Sequence, residues 1–231
     1  MREPIGEYVQ DEETSVSGEC VCRGDPHCFA FDADRNNPEH ELFTPNVCAY
    51  TLATDECGET GKWTVAAVFE RVKDVSSTRS FVKEVVIKYI DDVGKYVIIK
   101  LKQGLRVRFG IRDIATFPNR IGGFYLDIVP AVSAHPKDFS GDSAEVVSLT
   151  FPNGVNVQYD GVKVVKINMD EAVTGATCGL CGNNDGVYDS RDLAQGYNVN
   201  GKICKGLYAP GPSMTAVGIN YKERAVLRTI R

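Results

Sequence analysis

Apolar and charged residues alternate along much of this chain with the two-residue period of a half-buried strand. The alternation is cleanest in Lys95–Leu101 and Leu105–Phe109, with Gln103-Gly104 reading as the tight turn between them. Trp63–Val72 and Phe81–Ile90 are dense in β-branched and aromatic residues, which pack well on a pleated surface. Phe124–Val129, Glu145–Phe151, Val155–Tyr159 and Val162–Ile167 continue the series. Asn153-Gly154 and Asp160-Gly161 separate the last three, and such dipeptides supply the two positive φ angles of a type I′ hairpin turn. No segment before residue 215 holds a helical apolar stripe through three turns. Short strands at hairpin spacing predict an all-β fold, an antiparallel sandwich or a barrel-like meander.

Three regions follow from the pattern. Residues 1–18 are polar, acidic and aperiodic and read as a flexible leader; residues 19–205 form the strand-rich domain. Residues 206–231 open on Gly206-Leu207-Tyr208-Ala209-Pro210-Gly211-Pro212, which breaks regular structure, and read as a linker or C-terminal extension. The length of 231 residues suits one large domain, and a 43% hydrophobic content supplies its core. A formal charge of −5 argues against a nucleic-acid partner, which demands a basic face. No apolar run approaches the roughly 18 residues that span a bilayer, so no membrane span is expected. No apolar signal segment follows Met1, so the chain is either cytosolic or a mature fragment with an added methionine, and its cysteines favour the second.

Cysteine usage sharpens the picture. The eight cysteines are Cys20, Cys22, Cys28, Cys48, Cys57, Cys178, Cys181 and Cys204, two clusters flanking a long cysteine-free middle. Only Cys178 and Cys181 have the spacing of a zinc half-site, and the three histidines are scattered, so disulfides in an oxidising compartment are the better reading.

The chemistry concentrates after Cys178. Asn183, Asp185 and Asp189 place oxygen side chains at alternating positions, Gly186 permits a sharp turn, Val187 offers a backbone carbonyl and Asp192 closes the set. Ca²⁺ takes such an all-oxygen shell from a short wrapping loop. An Asn/Asp/Gly-rich turn that binds nothing has the same composition, and spacing alone leaves the two readings level. His27, His40 and His135 accompany no nucleophile motif, and no phosphate loop or dinucleotide fingerprint is present, so no enzyme is expected.

Gly24-Asp25-Pro26-His27, then Phe31-Asp32, Cys48-Ala49-Tyr50 and finally Cys178-Gly179-Leu180-Cys181-Gly182-Asn183 resemble, in order, the motifs of the von Willebrand factor type D domain. The resemblance runs from about Cys20 to Cys204 and implies a disulfide-stapled, two-sheet antiparallel β-sandwich. It implies a Ca²⁺ site formed by Asp32, Asn183, Asp185, the Val187 carbonyl and Asp192. The loop is one residue longer than the family form between Asp185 and Asp192, which leaves Asp189, Ser190 and Arg191 competing to face the ion. It further implies the pairs Cys20–Cys181, Cys48–Cys204 and Cys57–Cys178. Cys22 and Cys28 are extra to the pattern; they pair with each other, or one remains for an intermolecular bond.

Some relatives cleave themselves at Gly-Asp-Pro-His, which would place the scission at Asp25-Pro26; an uncleaved turn is the preferred reading here. Arg23-Gly24-Asp25 spells an integrin-type tripeptide, read as coincidence, and Cys178-x-x-Cys181 is read as structural rather than redox-active. The implied function is a secreted, extracellular Ca²⁺-binding structural or interaction module of a larger protein, in adhesion, matrix, mucus-like or clotting-type assembly. Its partners are extracellular proteins or other modules of the same chain, with homo-oligomerisation left open. The alternatives are the terminal module of a vitellogenin-like lipid-transfer protein and part of a luciferase-like secreted enzyme.

Overall fold

Two antiparallel sheets divide the chain almost in sequence order. The structure, a computed structural model, describes residues 18–24, 27–43, 49–57, 61–71, 80–131, 138–139, 143–169, 177–189 and 192. The first sheet is a meander of β4 (Ala49–Thr54), β5 (Trp63–Arg71), β6 (Ser80–Ile90), β7 (Tyr96–Lys102), β8 (Arg106–Phe109) and β9 (Arg112–Ile114). The second continues as β10 (Asn119–Ile121), β11 (Phe124–Pro130), β12 (Glu145–Thr150), β13 (Asn156–Tyr159) and β14 (Val164–Met169). Beyond β14 it takes in the first strands of the chain, β1 (Gly18–Arg23), β2 (His27–Phe29) and β3 (Leu42–Phe43). The β1–β14 pairing, from Gly18 opposite Met169 to Arg23 opposite Val164, brings the two ends of the domain together. β1 thus begins on the last residue assigned to the leader.

The inward residues of both sheets interlock in one core, with Leu52, Val65, Ile87, Ile99 and Leu101 facing Leu149, Val157, Tyr159 and Ile167. Edge-to-face contacts bridge the sheets at one end, where Tyr89 meets Phe124 at 5.0 Å and Phe109 meets Phe124 at 5.5 Å. The Tyr159 hydroxyl, buried in this core, donates to the Val82 carbonyl at 2.8 Å and ties β13 to β6. On the outer face of the second sheet, Arg35 Nη1 reaches Asp138 at 2.6 Å and Arg35 Nη2 reaches Glu19 at 2.7 Å. Lys166 joins Glu19 at 2.6 Å, and Phe139 covers Val21, Val146 and Val164 beside this network. Burial opposes ionisation of Glu19, but Lys166 and Arg35 outweigh it and hold its carboxyl below the usual range.

The turns differ from the type I′ expectation. At Asn153-Gly154 only the glycine has positive φ (88°), and Phe151 N–H donates to the Val155 carbonyl at 2.8 Å around a three-residue loop. At Asp160-Gly161, likewise, only the glycine is left-handed (72°). There Asp160 Oδ1 accepts from the N–H groups of Val162, Lys163 and Val164 at 2.8–2.9 Å, so the strand resumes at Val164 rather than Val162. Leu105, expected to open a strand, sits in the β7–β8 turn with φ 56°, which lengthens that turn beyond Gln103-Gly104. Side-chain capping and the adjoining loops have set these turns where dipeptide preference alone did not.

Candidate functional site: an acidic loop at the disulfide closure

An edge strand leaves a row of backbone groups without partners, and the segment after residue 177 satisfies those of β4. Cys178 N–H donates to Thr54 O at 3.0 Å, Thr54 N–H to Cys178 O at 2.9 Å, and Cys181 N–H to Leu52 O at 2.8 Å. From the other sheet, Phe31 N–H donates to Cys181 O at 2.9 Å. The segment is therefore wedged between the two sheets. Disulfides fix it to both: Cys20–Cys181 reaches β1 with Cα atoms 5.5 Å apart, and Cys57–Cys178 reaches the turn after β4 at 5.8 Å. Cys22 and Cys28 lie directly opposite across the β1–β2 hairpin and are bonded to each other, both buried. Cys48 and Cys204 lie outside the described residues, as do Asp25, Pro26, Ser190, Arg191, the leader before Gly18 and the 206–231 extension.

The loop leaving this closure carries the acidic residues. Gly182 turns it with φ 77°, and a Cβ there would collide with Asp192 Oδ1. Asp32, just past β2, accepts from the N–H of Gly186 at 2.9 Å and of Asp185 at 3.1 Å. Asp192 accepts from the N–H of Asp189 at 2.9 Å and of Asn183 at 3.3 Å. Asn183 Nδ2 donates to Asp185 Oδ2 at 2.8 Å, and Val187 N–H donates to Asp185 Oδ1 at 3.0 Å. Five expected ligand residues, Asp32, Asn183, Asp185, Asp189 and Asp192, are thus linked in one hydrogen-bonded loop, and Val187 stands at its exposed side.

Burial pushes the Asp32 carboxyl up, the Gly186 N–H opposes it, and the Asp192 carboxylate adds to the rise. Burial likewise raises Asp192, against the N–H groups of Asp189 and Asn183 and with Asp185 adding to the rise. Among the described residues no Lys or Arg pairs with Asp32 or Asp192. The donor set is all oxygen and rich in carboxylates, which suits a hard cation. Among the described residues no three His, Cys, Asp or Glu side chains stand at metal-ligating spacing. In this arrangement peptide N–H groups occupy the carboxylates.

Sequence reasoning missed three supports of the loop. Asn184 is fully buried in the left-handed region (φ 57°), its amide packed on Gly18 of β1 without a hydrogen-bond partner. Its neighbour Asn183 drew attention through its spacing and the resemblance; tolerance of positive φ was the signal for Asn184. Thr177 Oγ1 donates to Gly182 O at 3.1 Å, and the Tyr188 ring stacks on His40 at 3.8 Å. Nothing in the sequence pointed to either. Arg23, for its part, is held by Glu41 at 3.1 Å and lies over the Phe29 ring at 5.3 Å, which withdraws it from the tripeptide reading.

Two antiparallel sheets, each tied to one closing segment by a long-range disulfide, with an acidic loop springing from the joint, define a disulfide-stapled β-sandwich module. The chain belongs to the von Willebrand factor type D domain family, whose model matches residues 20–192. Zonadhesin of Mus musculus is similar to it, 27% identical over 168 residues. That match covers 71% of this chain and 3% of the mouse protein. Among the described residues no helix is long and apolar enough to cross a membrane.

Proposed function

We propose that the chain is an extracellular, Ca²⁺-binding structural or adhesive module of a larger secreted or cell-surface protein, working by binding rather than catalysis. The observation that carries this reading is the convergence of Asp32 with Asp185 and Asp192 from segments 153 residues apart in sequence, on a loop rooted in two disulfides where, among the described residues, no Lys or Arg pairs with Asp32 or Asp192. Asp32, Asn183, Asp185, Asp192 and the Val187 carbonyl would hold the ion, with Asp189 beside them. The ion would supply charge neutralisation and loop rigidity, not reaction chemistry. The oxidised cysteines support an oxidising compartment. A similar protein whose name marks it as an adhesin supports an adhesive role. The two described histidines serve structural contacts, His27 to Glu41 and His40 to Tyr188.

The test is calorimetric titration of the oxidised chain with Ca²⁺, run beside thermal melts with and without EGTA. A ligand that binds only the folded state stabilises it by mass action, about 2.7 kcal/mol at a hundred times Kd. Ca²⁺ should raise Tm, and Asp185→Ala should abolish both the heat of binding and the rise. An identical melt with and without the ion would end the calcium reading.

A further inference from the structure

The outward face of β7 and β8 gathers cations in a chain that is acidic as a whole, with Glu84 of β6 opposite Lys102. Register places Lys100 opposite Arg108 and Lys102 opposite Arg106, so these four side chains share one face of two neighbouring strands. Directly opposed residues have Cβ atoms about 5 Å apart, and like charges so placed destabilise a sheet. Alternate residues along a strand are roughly 7 Å apart, which completes a small square of positive charge.

Acidic neighbours compensate only part of it. Arg108 is clamped by Asp113 through Nε at 2.7 Å and Nη2 at 2.9 Å, and Lys100 stands 3.6 Å from Glu84. Lys102 and the exposed Arg106 form no salt bridge among the described residues. Arg106 donates its Nε to the Gln103 carbonyl at 3.1 Å, which tethers this exposed side chain. Burial, with Lys102 and Arg108 nearby, depresses the Lys100 ammonium despite Glu84.

We infer that this face, centred on Lys102 and Arg106, binds a linear sulfated polysaccharide of the extracellular matrix. A tethered guanidinium fork matches a sulfate oxygen pair, and an arriving polyanion relieves the repulsion the sheet otherwise carries. The exposed ring on this face, Tyr96, stands at the far end of β7 from Lys102, so the cations at its centre have no stacking ring next to them on these strands, which favours a sulfated chain over a single-stranded nucleic acid. The inference relies on the extracellular reading only for access to such a chain.

The test uses the whole oxidised chain in EGTA, so that failure of the calcium reading cannot affect it. Binding to heparin oligosaccharides is measured against salt, with chemically desulfated heparin and polyglutamate as comparison probes. Lys102→Ala/Arg106→Ala should weaken heparin binding about tenfold at physiological salt and lower the salt slope by about two. The same variant should melt at or above the parent temperature, since like-charge opposition is removed. Lys95→Ala, an exposed lysine at the opposite end of β7, should bind within about twofold of the parent. Equal binding by the double variant overturns the assignment. So does equal binding to desulfated heparin, and preference for polyglutamate overturns it in favour of an acidic protein partner.

Discussion

Tyr159 and Asp160 show how much a single polar atom decides inside this sandwich. The Tyr159 hydroxyl donates across the core from β13 to a β6 carbonyl, and burial raises the phenol so that it stays protonated. Tyr159→Phe should cost about 1 kcal/mol, the net worth of such a bond, seen as a lower urea midpoint with unchanged m-value. Asp160 is almost fully buried, and burial pushes its carboxyl up against the pull of the N–H groups of Val164, Val162 and Lys163. A carboxyl raised on folding binds more protons folded than unfolded. Its contribution is complete below the unfolded value and is lost as pH rises through the folded one. Asp160→Asn keeps the Oδ1 acceptor without the charge, so it should gain on the parent as pH climbs from about 4. A flat difference between pH 3.5 and 7 in urea melts would contradict that assignment. Asp160→Ala, which strips three N–H groups of their acceptor, should be less stable at every pH.

Among the elements, β5 to β8 and β11 to β14 were legible because each keeps one wet and one dry face, or a long run of β-branched residues. β4 was not. Nearly every side chain from Tyr50 to Thr54 is buried, because the 177–182 segment covers its edge, and burial on both faces erases alternation. β9 and β10 have three residues each, too few for a period to register. The acidic loop could be read from its own spacing, but Asp32 could not: its distance in sequence left only the resemblance to point there. The closing segment also sets what reduction should do. Cys57–Cys178 closes a loop with sequence separation 121, so Cys57→Ser/Cys178→Ser should lose up to about 5 kcal/mol in the chain-entropy model. A change below about 1 kcal/mol in chemical denaturation would show that the hydrogen bonds to β4 suffice alone.

At the scale of the whole molecule, the joint between β1 and the closing segment decides how the domain meets its surroundings. Cys20 and Cys181 hold Cα atoms 5.5 Å apart across a sequence separation of 161. Tension entering through β1 and leaving beyond Cys181 therefore crosses at one covalent shortcut and bypasses the strands between Cys20 and Cys181. In an optical trap the oxidised domain should yield no extension from residues between those two cysteines. Reduction should release hidden contour of roughly 550 Å, at about 3.3–3.6 Å per residue. The acidic loop beyond Cys181 lies on the loaded side of that shortcut. A pull on the module would thus be felt early by its acidic turn, with the strands between the two cysteines sheltered behind the sulfur bond.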